Sequence, residues 1–340
     1  MKQVKSVLII LILIFSLTQC FPWGEKIHYE ATYAGCNLLS EYFSEEFKQY
    51  ITFISNNGSL PDVWKSYYNR PGYGRDEGPN HFCDYDYIIR LKRGDLDKPF
   101  DEITKIYSQD ELRKGGTVIW AIEEYSQLLR RALESSDYYS AFIYMAVLAH
   151  YIEDIHQPFH ATENYDGQLT GNTGIHLRYE VHMINRFWKP ESIKIDKDIE
   201  PINLNEVRSF TIGILEDSLS KVDSVLEADR KARKIDPKYS TEYYKELWKE
   251  TEELTVSRIN LSALNYSRLI YSIWLEAGKP EFPKQFELSK FAQTEVERPQ
   301  FFSTTIQISE NEEKAIRRTL LYSVLVVVIF YIGIIALKNH

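Results

Sequence analysis

The sequence predicts an all-α fold, a compact multi-helix domain between two apolar termini. Long stretches of the 340-residue chain carry apolar residues at helical spacing. Glycine and proline are sparse, at 15 and 12 residues, which argues against a turn-rich all-β protein. The apolar fraction of 44% and the charged fraction of 26% are typical of a soluble globular domain and exclude wholesale disorder.

Residues 1–22 have the pattern of a secretory signal peptide. Lys2 and Lys5 precede an apolar run, SVLIILILIFSL at 6–17, and this order of charge and apolarity is typical of exported proteins. The run is short for a membrane span, but an uncleaved anchor is an open alternative. Lipidation of Cys20 is a second alternative, because the position of this cysteine after the apolar run resembles a lipoprotein processing site.

Between the two ends the pattern is mostly helical. Helices are predicted at 117–137, 138–156, 203–229 and 241–277 from the spacing of apolar residues. Residues 56–86 differ, because glycines and prolines interrupt them. We expect a long loop there, and such loops in a helical domain are usually functional or disordered.

The C-terminal end predicts a transmembrane helix at 319–337. Residues 320–337 contain no charged residue, and their length is close to what a helix needs to cross a bilayer. A short tail, 338–340, follows. The periodicity fades at 281–318, which is interpreted as a juxtamembrane stalk. Residues 23–280 are then the exported domain, on the non-cytoplasmic side of the membrane.

Residues typical of a hydrolytic metal site are concentrated in one stretch. His150 and Asp154 are four residues apart, so they share one face of a helix. His160 follows a helix-ending proline, and His176 and Glu180 repeat the four-residue spacing. Imidazole and carboxylate are ligands that Zn²⁺ prefers. The pattern therefore predicts a metal site rather than scattered core or surface histidines.

The motif His-x3-Asp-x-His-Gln-Pro-x-His, followed by His-x3-Glu, resembles the zinc-dependent phospholipase C/S1-P1 nuclease superfamily. Members of that superfamily are secreted, all-helical, trinuclear zinc phosphodiesterases. The sequence Trp-x4-His at the start of the domain resembles theirs, and an aspartate and a histidine match by order and context. The resemblance therefore implies nine metal-ligand positions: Trp23, His28, Asp62, His81, His150, Asp154, His160, His176 and Glu180.

The resemblance also implies how three Zn²⁺ would share these ligands. One zinc would be held by two loop residues and two helix residues: Asp62, His81, His150 and Asp154. A second would be held by the residues that follow the helix: His160, His176 and Glu180. A third would share Asp154 and take the first residues of the domain: Trp23, through its amine and carbonyl, and His28. A free amine on Trp23 requires cleavage after Pro22, whereas a lipidated Cys20 would leave Trp23 internal.

The implied activity is hydrolysis of phosphate esters by metal-activated water, with Asp62 as the candidate catalytic residue. The net charge of −9 does not fit a protein that coats nucleic acid through a basic surface. Three bound zinc ions would supply local positive charge instead. Phe82 and Asn172 are candidate substrate-binding residues. Phe82 could stack on a base or a quaternary ammonium, or could simply pack beside the site.

The substrate is open between alternatives. The Trp-x4-His spacing and the His-Gln-Pro sequence favour a nuclease or nucleotidase acting on single-stranded nucleic acid or nucleotides. Glu180, in place of aspartate, favours a phospholipase C acting on phospholipid head groups. A membrane-anchored zinc-binding protein without turnover is the third alternative. We expect a monomeric ectodomain, in which Cys36 and Cys83 could pair under oxidising conditions.

Overall fold

The computed structural model describes residues 24–68, 77–92, 94–195, 198–285 and 295–302, and regular structure in these residues is entirely helical. The α-helices are α1 (Gly24–Leu39), α2 (Ile51–Asn56), α3 (Leu60–Tyr68), α4 (Tyr85–Leu91), α5 (Phe100–Ile103), α6 (Gln109–Gly115), α7 (Val118–Glu134), α8 (Tyr138–His156), α9 (Ile175–Leu177), α10 (Ile184–Phe187), α11 (Val207–Leu219), α12 (Val222–Ile235) and α13 (Thr241–Glu276). Short turns join them: 3-10 turns at Glu45–Tyr50, Gly78–His81, Pro158–His160, Pro190–Ser192 and Leu204–Glu206, and a π-helical turn at Arg178–Met183. The all-α prediction is confirmed.

Helix α8 lies at the centre of the domain. Its residues from Ala141 to His156 are all buried, and a helix that is apolar on every side belongs inside a protein. It packs against α7, α1 and α13. Asp137 caps its N-terminus by accepting a hydrogen bond from the Ser140 amide. The core therefore fixes the helix that carries His150 and Asp154.

The long predicted helices are present, with one difference. Helices α7, α8 and α13 correspond to the predicted helices at 117–137, 138–156 and 241–277. The helix predicted at 203–229 is instead two helices, α11 and α12, which meet at Ser220. Because α11 packs on α7 and α8 whereas α12 packs on α13, the chain changes direction between them.

The domain extends beyond residue 280. The Phe282 side chain is buried against Phe47 and Phe142, with ring centroids 4.8 and 6.1 Å away. The Tyr50 hydroxyl donates a hydrogen bond of 2.6 Å to the Pro283 carbonyl. Phe302 is buried in the same core. Residues 281–285 and 295–302, which were expected to belong to a stalk, therefore pack on the domain, because their aromatic side chains complete its core.

Three other predicted segments lie outside the described residues. They are the signal peptide at 1–22, the transmembrane helix at 319–337 and the tail at 338–340. Among the helices that are described, none combines the length and the apolarity needed to cross a membrane.

Cys36 and Cys83 are both free and buried, so the possible disulfide is not formed. The Cys36 sulfur lies 3.3 Å from the Tyr266 hydroxyl. Burial raises the pKa of Cys36 to about 12, and it also raises the pKa of Cys83. Both thiols are therefore core groups rather than reactive ones.

Replacement of Phe282 tests the domain boundary. Phe282→Ala removes a ring from a packed aromatic cluster, so we expect the free energy of unfolding to fall by about 3–5 kcal/mol. Chemical denaturation measures this change. The control is Ile235→Ala, at a side chain that is 58% exposed, where a change within about 0.5 kcal/mol is expected. Equal effects of the two substitutions would place Phe282 outside the core.

Candidate metal centre

The end of α8 brings the first predicted ligands together. His150 and Asp154 face the same side of the helix, with His150 Nε2 3.2 Å from Asp154 Oδ2. Beyond the helix, the Gln157 side chain accepts a hydrogen bond from the Phe159 amide and so stabilises the turn at Pro158–His160. This turn brings His160 back toward the end of α8, where His160 Nδ1 lies 3.7 Å from Asp154 Oδ1.

The first group of ligands is Asp62, His81 and His150, whose ligand atoms lie within 4.8 Å of one another. Asp62 lies in the first turn of α3, and His81 ends the 3-10 turn at 78–81. His81 Nδ1 is 2.9 Å from Asp154 Oδ2 and 3.0 Å from His150 Nε2. The segment 56–86, predicted to be a long loop, instead contains helix α3, and it supplies two ligand candidates to the end of α8.

The second group is His160, His176 and Glu180. His176 Nε2 lies 2.5 Å from Glu180 Oε2, and His160 Nε2 lies 3.7 Å from Glu180 Oε1. Glu180 belongs to the π-helical turn at 178–183, and such wide turns are frequent at functional sites. The sequence spacing of these three residues therefore becomes a spatial cluster.

The third group is His28, His150 and Asp154. The His28 ring stacks on that of His150, with centroids 4.0 Å apart, and His28 Nε2 lies 3.7 Å from Asp154 Oδ1. Asp154 thus contributes to this group while it contacts His81 of the first. Trp23, the remaining predicted ligand, lies outside the described residues, one position before α1.

Four of the histidines are oriented through their second nitrogen. Each Nδ1 has an oxygen acceptor, and each Nε2 faces the cluster. The acceptors and distances are Glu153 for His28 (2.6 Å), the Gly58 carbonyl for His150 (2.8 Å), the His81 carbonyl for His160 (2.8 Å) and the Tyr165 carbonyl for His176 (3.0 Å). Histidines that bind metals are held in this way, because the outer hydrogen bond fixes the ring and its tautomer.

The burial of the cluster also fits a metal. Burial raises the pKa of Asp62 and of Asp154, since it disfavours their charged forms. Burial also lowers the pKa of His150 to about 4, which leaves this ring neutral, as a ligand must be. Within the described part of the chain, Asp154 Oδ1 and Glu180 Oε1 accept no hydrogen bond. A cation would compensate these buried oxygens, and a nitrogen and oxygen donor set suits Zn²⁺.

An open cavity of about 900 Å³ leads to the cluster. Its floor includes ligand candidates of the first and second groups: His81, His160, His176 and Glu180. Charged side chains of both signs line it: the cations Lys65, Arg113 and Lys114 and the carboxyl groups of Asp84, Glu163 and Asp166. Phe82 also lines the cavity, and its role in substrate binding stays a prediction. The cavity gives a ligand from solvent direct access to the predicted metal site.

Asn172 does not line this cavity. Its side chain is fully buried, and its amide donates hydrogen bonds to Asp229 (2.6 Å) and to the Leu226 carbonyl (3.0 Å). Arg178 also binds Asp229, at 3.0 Å. The prediction that Asn172 binds substrate is therefore wrong. The residue ties the loop before His176 to α12, because a buried amide needs hydrogen-bond partners.

Two residues of the site were missed from the sequence. Glu153 accepts hydrogen bonds from His28 Nδ1 and from the Thr32 hydroxyl, at 2.6 and 2.9 Å. The sequence feature that indicates Glu153 is a second carboxylate directly before Asp154 in an otherwise apolar helix. Lys65 Nζ lies 2.6 Å from Asp62 Oδ1. The sequence feature that indicates Lys65 is its position three residues after Asp62, which places both side chains on one helix face.

Comparisons with known proteins identify the family of this chain. The family model of the S1/P1 nucleases matches residues 23–285. The chain belongs to the S1/P1 nuclease family, and the family predicted from the sequence is confirmed.

Endonuclease 3 of Arabidopsis thaliana is 28% identical over 189 residues, which are 53% of this chain and 57% of that protein. The chain thus spans about 57% of the length of this relative. Among solved structures, the alpha-toxin of Clostridium perfringens from avian strain SWCP is 14% identical with a TM-score of 0.47, covering 73% of this chain and 63% of the toxin. The alpha-toxin of Clostridium absonum is 12% identical with a TM-score of 0.42, covering 74% and 63%.

Replacement of Asn172 separates a structural role from a role in substrate binding. Asn172→Ala leaves Asp229 with one hydrogen bond fewer in a buried site, so the free energy of unfolding should fall by about 1–3 kcal/mol. Denaturation of the purified protein measures it. Asn185→Ala, at an exposed asparagine of α10, is the control and should change little. Unchanged stability of the Asn172 variant would contradict the structural role.

Proposed function

We propose that the chain is a zinc-dependent phosphodiesterase of the nuclease or nucleotidase type, acting on single-stranded nucleic acid or nucleotides. One observation carries this proposal: three groups of histidine and carboxylate ligands converge around Asp154 beneath an open cavity. Membership of the S1/P1 nuclease family supports it.

We propose that the site holds three Zn²⁺, one for each group of ligands. The first would be held by Asp62, His81, His150 and Asp154, the second by His160, His176 and Glu180, and the third by Trp23, His28 and Asp154. When bound, zinc supplies Lewis acidity that polarises a phosphate ester and lowers the pKa of water.

The residues of the chain would bind and orient the reactants. Asp62 is the proposed catalytic residue, because its buried carboxyl lies within the first group of ligands, 3.8 Å from His81 Nδ1, where it would orient water. Lys65 and Arg113 line the cavity, where their charges would attract the phosphate. Phe82 would stack on a base.

Membership of the S1/P1 nuclease family favours a nucleic acid or nucleotide substrate over a phospholipid. Phospholipase C activity is the alternative, and zinc binding without turnover is the second alternative. Both alternatives become outcomes of the assays below.

We also propose that the protein is exported and anchored in a membrane, with a monomeric catalytic domain on the non-cytoplasmic side. The signal pattern at 1–22 and the apolar run at 320–337 support this placement. Cleavage before Trp23 would leave its amine one residue before the helix that carries His28. This adjacency supports Trp23 as a ligand of the third zinc.

Removal of the metal tests the proposed centre. We expect elemental analysis of the purified protein to find close to three zinc ions, and a chelator to abolish hydrolysis of a generic phosphodiester. Asp154→Asn should reduce zinc content more than His176→Asn, because Asp154 belongs to two groups. Asp101→Asn, at a side chain that is 79% exposed, should retain wild-type zinc. No more than one tightly bound zinc in the wild type would contradict a trinuclear site.

The substrate is tested by parallel assays with the full chain. Single-stranded DNA, single-stranded RNA, a nucleoside 3′-monophosphate and phosphatidylcholine vesicles are supplied at equal phosphate concentration. We expect the nucleic acids or the nucleotide to be hydrolysed, because the chain belongs to the S1/P1 nuclease family. Phe82→Ala should raise KM for single-stranded substrates, as loss of stacking weakens binding by about 1–3 kcal/mol per base. Hydrolysis of phosphatidylcholine alone would favour phospholipase C, and zinc binding without any hydrolysis would favour a binding protein.

A further inference from the structure

Residues 295–302, named here the C-terminal strap, lie beyond the end of the family match at residue 285. The strap nevertheless packs beside the candidate site. Phe302 is buried in the main core, and the Arg113 guanidinium lies 4.4 Å from the centroid of its ring. Arg113 also lines the cavity. A segment outside the family domain is therefore in contact with the wall of the site.

Arg298 of the strap reaches the elements that supply the first group of ligands. Its guanidinium lies 4.6 Å from the centroid of the Trp64 ring. Trp64 is in α3, two residues after Asp62. Burial raises the pKa of the Glu77 carboxyl to about 7, and the positive charge of Arg298 opposes this shift. Lys65 is a second cation near Glu77.

Glu77 belongs to a buried hydrogen-bond network directly behind His81. Its side chain is 5% exposed, and it accepts a hydrogen bond from the Tyr151 hydroxyl and one from Asn80. The Asn80 side-chain oxygen in turn accepts a hydrogen bond of 2.7 Å from the Thr117 hydroxyl. Asn80 directly precedes His81 in the 3-10 turn. The network therefore holds the backbone from which His81 projects.

Tyr151 connects the same network to the histidine rings. Its ring lies edge-on to His81 and to His150, with centroids 5.6 and 5.8 Å apart. Both rings belong to the first group of ligands. Glu77 thus fixes His81 through its backbone and through the ring that packs against it.

We propose that Arg298 is a positioning residue for the first group of ligands, acting through Glu77 and Trp64. Without Arg298, a buried carboxylate loses one of the two cations near it, and Trp64 loses the group that covers its ring. Asp62 then loses the packing of the neighbouring Trp64 ring, and His81 loses the hydrogen-bond network of Glu77. The inference rests on the proposed metal centre, and it assigns a role to a segment that lies beyond the matched residues 23–285.

The test measures zinc affinity of the full-length protein by competition with a chelator. Arg298→Ala should weaken binding of the zinc at the first group of ligands by about tenfold, the scale of effects for residues that orient ligands. Arg298→Lys keeps the positive charge and should bind zinc more tightly than Arg298→Ala. The matched control is Arg186→Ala, whose guanidinium lies 4.2 Å from the Tyr244 ring and which should leave zinc affinity unchanged.

Glu77→Gln in the Arg298→Ala background provides the decisive comparison. It removes the charge that Arg298 balances, so it should restore part of the lost affinity if Arg298 acts through Glu77. Thermal unfolding of the chelator-treated proteins shows whether each variant folds. Should Arg298→Ala fail to fold, the comparison of Arg298→Lys with Glu77→Gln/Arg298→Lys carries the same test.

Two results would overturn the inference: zinc affinity of Arg298→Ala equal to that of the wild type, or a loss that Glu77→Gln does not relieve. A wild-type protein that binds no zinc would instead defeat the proposed function, and this inference with it. The two failures are therefore distinguished by the wild-type titration alone.

Discussion

The burial of the Asp154 carboxylate among imidazole rings is the constraint on which the site depends. His81 and His150 lie 2.9 and 3.2 Å from one of its oxygens, and His28 lies 3.7 Å from the other. A charged carboxylate inside a protein is costly unless a cation or hydrogen bonds compensate it. Burial lowers the pKa of His81, His150 and His160, so these rings are neutral and do not balance the charge of the carboxylate. A buried carboxylate surrounded by neutral imidazole rings would be stabilised by a bound metal ion, whereas in a hydrophobic core without a metal it would be destabilising.

The arrangement of the surrounding helices follows from this constraint. Because α8 is buried on all sides, the ligands that meet its end must come from other parts of the chain. Helix α1 brings His28, oriented by Glu153 from α8 itself. Helix α3 and the turn at 78–81 bring Asp62 and His81. The site is thus assembled from separate segments that the core holds together. Local helix geometry accounts only for the two pairs spaced four residues apart, His150 with Asp154 and His176 with Glu180.

The protein's own charges do not make the cavity a cationic site. The whole chain carries −9, and an anionic substrate would be repelled by most of such a surface. The cavity wall has the cations Lys65, Arg113 and Lys114, but also the carboxyl groups of Asp84, Glu163 and Asp166. Bound metal ions at the three groups of ligands would therefore supply the positive charge that attracts a phosphate ester.

The sequence by itself determined the helical class, the main helices and the ligand pairs on α8 and after it. These features depend on residues three to five positions apart, and such distances are fixed by helix geometry. Only the tertiary structure showed that Asn172 is a buried anchor for its loop and that Phe282 and Phe302 complete the core. It also brought Arg113 to the cavity and Arg298 to Trp64. These contacts join segments that are far apart in the chain. Which residues meet depends on how the helices pack, and the spacing of residues in the sequence does not predict that.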